Sequence, residues 1–176
     1  MDYPWYIILK NDDEIQQGDL IPDCPIIIPP LKIEADKELD IQVELMNAIV
    51  LSQTCDLIHG KVDIVLMCPL YSLKSFVESL KDKKAIKEAV ENLRKGFLYS
   101  YHLLNNSDVI EDLKDYQVVD FRNVYGVKFD LLKGLIQERE SRYRLLPPYR
   151  EHLSQAFARY FMRVGLPQDI KIEGYY

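Results

Sequence analysis

The residues of this chain best suited to chemistry stand together: Ser52-Gln53-Thr54-Cys55-Asp56, with His59 close behind. Ser and Thr offer hydroxyls, Gln an amide, Cys a thiol and Asp a carboxylate. Such a cluster can grip a small polar ligand or hold a neighbouring loop. Cys55 and His59 are four residues apart and would share a face on a helix. A Cys–His pair can generate a nucleophilic thiolate or supply two zinc ligands. Zinc would need two more donors. Only Cys24, Cys68, His102 and His152 offer themselves, and there is no Cys-x-x-Cys. No metal and no cofactor is expected. Asp56 could equally cap a helical turn through Leu57-Ile58-His59. The catalytic candidates are thus Ser52, Cys55, Asp56 and His59. They do not amount to a complete catalytic set, and no Walker loop, dinucleotide glycine motif, HExxH or nucleophile elbow is present.

A second candidate lies towards the C-terminus. Gln155, Arg159 and Arg163 are spaced by four and form one polar stripe on a helix, with Arg150 and His152 near its start. Between Arg139 and Arg163 there are six arginines against Glu140 and Glu151, whereas residues 1–47 carry eleven acids and three bases. The net charge of the whole chain is −6. Arg makes bidentate contacts with carboxylate or phosphate and stacks on rings. Two readings follow. The basic segment lies against acidic parts of the same fold or of a second copy, or it forms a nucleic-acid surface, which an acidic total weakens in its non-specific part. Tyr99, Tyr101, Tyr116, Tyr125, Tyr143, Tyr149 and Tyr160 accompany the arginines. Tyrosine suits protein contacts, and aromatics interleaved with Arg also stack bases. The binding candidates are Ser52, Gln53, Thr54, Asp56, Arg150, Arg159 and Arg163.

The elements that must position these groups are read from hydropathy. Ala48–Leu51 and Val62–Cys68 are apolar, β-branched runs of the kind that make core strands. The polar pentad would emerge at the end of the first. Trp5–Leu9, Gln17–Ile21, Ile41–Leu45, Phe97–Leu104, Tyr116–Phe121 and Val124–Phe129 read as further strands, the last two as a hairpin around Tyr125-Gly126. Pro22, Pro25, Pro29 and Pro30 make Asp23–Leu31 an extended edge or loop, and Glu34–Asp40 an acidic surface loop. From Ser72 apolar residues recur at three- and four-residue steps, with a break at Lys81–Lys84 and a stop at Gly96. Leu131–Ile136 fits either class. Pro148 suits the first turn of a closing helix, with Leu153, Phe157, Tyr160 or Phe161, and Val164 as its apolar stripe and Gly165 and Pro167 as its stop.

Strands and helices without regular alternation argue α+β rather than a parallel α/β sheet. The specific expectation is a single domain over 1–176. It is a small, strongly bent antiparallel barrel with strands over about 5–71 and 97–130, a helical insertion over about 72–95 and a closing helix over about 148–164. Three fragments resemble the PemK, Kid and MazF toxin family of ribonucleases, which have an SH3-like barrel. Gly18-Asp19-Leu20 resembles its early Gly-Asp-Ile. Ile49-Val50-Leu51-Ser52 resembles its central strand ending in Ser, and Val65-Leu66-Met67-Cys68-Pro69-Leu70 its next strand. The likeness covers residues 17–71 and implies an SH3-like barrel. Met46-Asn47 stands where the family usually has Arg-Pro, and Tyr71 where it usually has Thr or Ser. The pentad together with Phe161–Pro167 also resembles a bacterial group that carries no assigned activity.

The leading expectation is therefore a non-catalytic binding or regulatory module of bacterial type, engaging a protein partner, a second copy or RNA. An endoribonuclease in which Ser52, Asp56 and arginines of the closing helix replace the missing family groups is the alternative, and a hydrolase built on Cys55 is the third. No apolar run is long enough to span a membrane, and Met1–Trp5 lacks the basic start of a signal peptide. Three widely separated cysteines form no disulfide framework, so a reducing cytoplasm is expected.

Overall fold

In the computed structural model, residues 3–32, 40–80 and 82–162 are described. Arg163 and the stop signals Gly165 and Pro167 fall outside them, as does nearly all of the acidic loop expected over 34–40. The chain is α+β. Its strands are β1 (Tyr6–Leu9), β2 (Asp19–Ile28), β3 (Gln42–Val50), β4 (Ile64–Ser72), β5 (Tyr101–Leu104), β6 (Gln117–Asp120), β7 (Tyr125–Lys128) and β8 (Arg142–Leu145). The helices are α1 (Thr54–Ile58), α2 (Leu73–Glu78), α3 (Lys83–Arg94), α4 (Phe129–Gln137) and α5 (Tyr149–Phe161).

All ladders are antiparallel and run in the order β1-β8-β2-β3-β4-β6-β5, with β7 paired to β4. The sheet is open, and this corrects the expected SH3-like barrel. Closure would need β1 to pair with β5, and among the described residues no ladder joins them. Helices cover the sheet instead of a second layer of the same strands. The long β4 explains much of the shape. Its first half pairs with β7 through Val65↔Val127, and its last residues pair with β6 through Leu70↔Val119. Two short strands therefore follow one another along one side of β4. The expected β6–β7 hairpin does not form.

Both faces are buried where β3 ends, from Ala48 to Val50, and in β4 from Met67 to Leu70. Ala48 and Val50 of β3 and Val65 and Met67 of β4 pack with Leu57 of α1 and Leu132 and Ile136 of α4. The alternate residues Ile49, Leu51, Cys68 and Leu70 pack with Leu104, Phe121 and Leu153 of α5. Strands buried on both sides read as continuous apolar runs, which is why 48–51 stands out; in β4 the burial is continuous from Met67 to Leu70, while Leu66 is exposed. β2 runs through Pro22 and Pro25 to Ile28, longer than the short strand and loop expected. A register shift between Ile21 and Cys24, with Asp23 at φ 43°, lets the chain absorb Pro22 without breaking the sheet.

The helical insertion is as read, split into α2 and α3. Asp82 caps α3 by accepting from Lys84 N at 2.9 Å and Ala85 N at 2.8 Å. Gly96, at φ 69°, ends it. Leu131–Ile136 resolves as part of α4. β8 has no counterpart in the sequence reading. Among the described residues no helix is long and apolar enough to cross a membrane.

Candidate functional site

The corner at the end of β3 is built before it is functional. Leu51 N donates to Leu66 O at 2.8 Å, which closes the β3–β4 ladder, and the chain then turns. Ser52 Oγ accepts from Leu66 N at 2.8 Å, and Thr54 Oγ1 accepts from Gln17 N at 3.2 Å. Gln17, itself buried, donates its amide to Leu51 O at 2.8 Å. Two hydroxyls of the pentad therefore staple the corner to β4 and to the segment before β2. Asp56 is not the cap of α1. Gln53 holds that position, without a side-chain capping bond, and Asp56 lies in the first turn. Its carboxylate faces Lys61 Nζ at 3.8 Å, an exposed pair that contributes little.

Cys55 is exposed, and the one partner of its sulfur among the described residues is Asp56 Oδ1 at 3.7 Å. His59 is the C-cap of α1 and touches Cys55 only through main chain, its N–H donating to Cys55 O at 3.2 Å. A thiol nucleophile needs an imidazole or cation at the sulfur, and no hydrogen bond joins these two side chains. Cys24 and Cys68 are buried in separate core clusters, where burial pushes their thiols up to about 11 and about 12. The Cys68 carboxylate neighbour Asp120 adds to the shift, while Arg139 opposes it at Cys24. Among the described residues no three His, Cys, Asp or Glu side chains gather where they could hold a metal ion.

What remains free at the corner faces α5. Gln53 Nε2 reaches Ser154 Oγ at 3.4 Å. An open groove of about 450 Å³ separates Gln53, Thr54 and Cys55 from Arg150, Glu151 and Gln155. Gly18 makes this approach possible. It sits at φ 84°, and a Cβ there would lie 3.2 Å from Leu145 Cβ and 3.3 Å from Arg150 Cγ. Arg150 lies over that glycine and turns its guanidinium to Glu151, 2.9 Å away. The start of α5 is fixed from the other side by Trp5, whose ring stacks on Tyr149 at 3.6 Å. The pentad and the basic helix thus meet, but through Gln53–Cys55 and the first turns of α5. Asp56 and His59 do not line the groove.

A second cavity, of about 310 Å³, opens on the far side of Gln155, between the end of α3, β5 and α5. Arg94, Lys95, His102, His152 and Arg159 line it, with Tyr99 and Tyr101. Arg94 and Lys95 share Glu91, each with a contact at 2.9 Å. Arg159 is exposed and makes no ion pair among the described residues. Burial, and next the charge of His152, push the His102 imidazole down to about 4, so it is neutral near pH 7. Tyr101 lies under Arg122, 4.6 Å from ring centroid to guanidinium carbon. Arg94 and Lys95 went unnoticed in the sequence. Their only signal is position, since basic residues in a last helical turn before glycine are usually read as dipole partners.

The arginines of β8 have a different use. Arg142 and Arg144 both turn inwards on Asp19, which has no exposed surface. Arg142 Nε donates to Asp19 Oδ2 at 3.0 Å, and its terminal nitrogens bind the carbonyls of Lys10, Asp13 and Glu14 at 2.7, 2.6 and 2.8 Å. Arg144 donates to both Asp19 oxygens and to Glu14 O. The intramolecular reading of the charge asymmetry thus holds for these two residues, whereas Arg159 keeps its charge at the surface.

No model of a known protein family matches the chain, and a search of curated proteins gives no match.

Proposed function

We propose that the protein is a non-catalytic binding module that holds a single-stranded RNA along α5. The observation that carries this reading is the pair of cavities that share Gln155. One offers the amides of Gln53 and Gln155 and the Ser154 hydroxyl beside the Arg150–Glu151 pair, suited to sugar and base edges. The other offers cations and aromatic rings, suited to phosphate and base stacking. Arg159, which makes no ion pair among the described residues, lines the second cavity one helical turn beyond Gln155. The likeness of residues 17–71 to the PemK, Kid and MazF ribonucleases supports RNA as partner. Binding rather than cleavage is favoured because Met46, Asn47 and Tyr71 replace the family's reactive groups, because Ser52 is engaged on Leu66 N, and because Asp56 does not line the groove. Fluorescence anisotropy with a labelled RNA octamer tests it. Arg159→Glu should weaken binding at least tenfold; unchanged binding in that variant would refute the assignment.

A protein partner is the second reading, favoured by one feature. Pro25 pairs with Leu45 and Ile27 with Val43 on the outer face of the β2–β3 ribbon, where Ile27, Val43 and Leu45 are 57, 53 and 67% exposed. A second copy packing there would appear as a dimer in size exclusion with static light scattering and revert to monomer in Val43→Glu. A monomer at every concentration removes this reading.

A further inference from the structure

We propose that the cavity between α3, β5 and α5 is a phosphomonoester site, which takes the terminal phosphate of an RNA strand lying along α5. The strand as ligand rests on the reading above; the cavity's chemistry stands without it. Charge is the first argument. Glu91 offsets one of the two charges on Arg94 and Lys95, and Arg159 adds another, so two positive charges are left in excess. An internal phosphodiester carries one negative charge and would leave one of these cations unmatched. A phosphomonoester carries about −1.5 to −2 near neutral pH, which matches.

Shape is the second argument. This cavity of about 310 Å³ is half open and has room for a phosphate group at its cations and a base at its rim. Its imidazoles are the third. His102 lies in the cavity lining, half-buried and stacked near Phe121 at 6.3 Å, and neither ring nitrogen makes a hydrogen bond among the described residues. Its N–H is therefore available to a phosphate oxygen, with Arg159 and Lys95 providing charge-assisted donors. Tyr99, 44% exposed at the same rim, offers a face for the terminal base.

The test uses the full chain and four labelled octamer RNAs of one sequence. They carry a 5′-phosphate, a 5′-hydroxyl, a 3′-phosphate or a 3′-hydroxyl at the end in question. Adenosine 5′-monophosphate and adenosine serve as short competitors. One phosphorylated end should bind at least tenfold tighter than its hydroxyl counterpart. Arg159→Glu and, as a second variant, Lys95→Glu should reduce that preference to less than twofold with an unchanged circular-dichroism spectrum. Lys128→Glu on β7 should keep it. Equal binding of phosphorylated and hydroxyl ends overturns the inference and leaves the strand reading intact. Binding of the monophosphate but not of adenosine or of any octamer supports the cavity and ends the strand reading. No binding by any of these probes overturns both.

Discussion

Asp19→Ala tests the physical core of this fold most severely. The carboxylate accepts from both guanidinium groups of Arg142 and Arg144 and from Gln16 N at 3.2 Å. Arg142 is 1% exposed as a side chain and Arg144 11%. Removing Asp19 leaves two charged groups in a place that water barely reaches. Breaking a buried pair by deleting one partner typically costs about 3–5 kcal/mol. Arg142 retains the carbonyls of Lys10, Asp13 and Glu14, so part of its solvation survives and the lower half of that range is expected, about 3 kcal/mol. Domains are commonly stable by about 5–15 kcal/mol, so the variant should fold but melt far earlier. Urea unfolding at pH 7 measures the difference from the midpoint at unchanged slope. The triple replacement Asp19→Leu, Arg142→Met, Arg144→Met should recover part of the loss, because apolar groups of similar volume need no counter-charge. A loss below 1 kcal/mol in Asp19→Ala would mean that solvent already reaches these arginines, and the reasoning would fail.

Three other outcomes are expected. The unfolded chain binds a proton at His102 that the folded one does not, because the folded value lies near 4 and the unfolded near 6.5. Stability is therefore full above about pH 6.5 and falls as the pH drops towards 4, by at most about 3 kcal/mol from this group. His102→Gln should flatten that part of the urea-midpoint profile, and an identical profile would contradict it. Native-state alkylation should add one iodoacetamide group at Cys55 well before Cys24 and Cys68, which burial protects; equal rates by mass spectrometry would contradict the packing. Ser52→Ala should cost about 1 kcal/mol through the lost bond to Leu66 N and leave RNA affinity unchanged.

The central strands were legible because Ala48–Leu51 is buried on two faces, as is β4 from Met67 to Leu70, which leaves no room for polar residues there. The two-part helical insertion was legible through its period, the break at Lys81–Lys84 and Gly96. β8 was not: the basic stretch could be expected to meet acidic parts of the fold, but Arg142-Tyr143-Arg144 has no apolar alternation to mark a strand, and its partner Asp19 comes from a distant part of the chain. The same limit applied to the pentad. A hydroxyl that binds a ligand and one that binds main chain look alike in sequence, and only the ladder geometry shows that Ser52 and Thr54 are of the second kind. The meeting of Gln53 with Ser154 follows from the reading of a corner beside a basic helix. The cavity that joins Arg94 and Lys95 to His102, His152 and Arg159 depends on three elements converging, which no local pattern carries.

Salt dependence of single-stranded RNA binding, for the native chain and Arg159→Ala, addresses the binding assignment most directly. Each phosphate neutralised on a single strand contributes about −0.7 to the slope of log affinity against log salt. The native chain should show a slope of several such steps, and Arg159→Ala one step fewer. A flat profile, or the same slope in both proteins, would contradict RNA binding along α5.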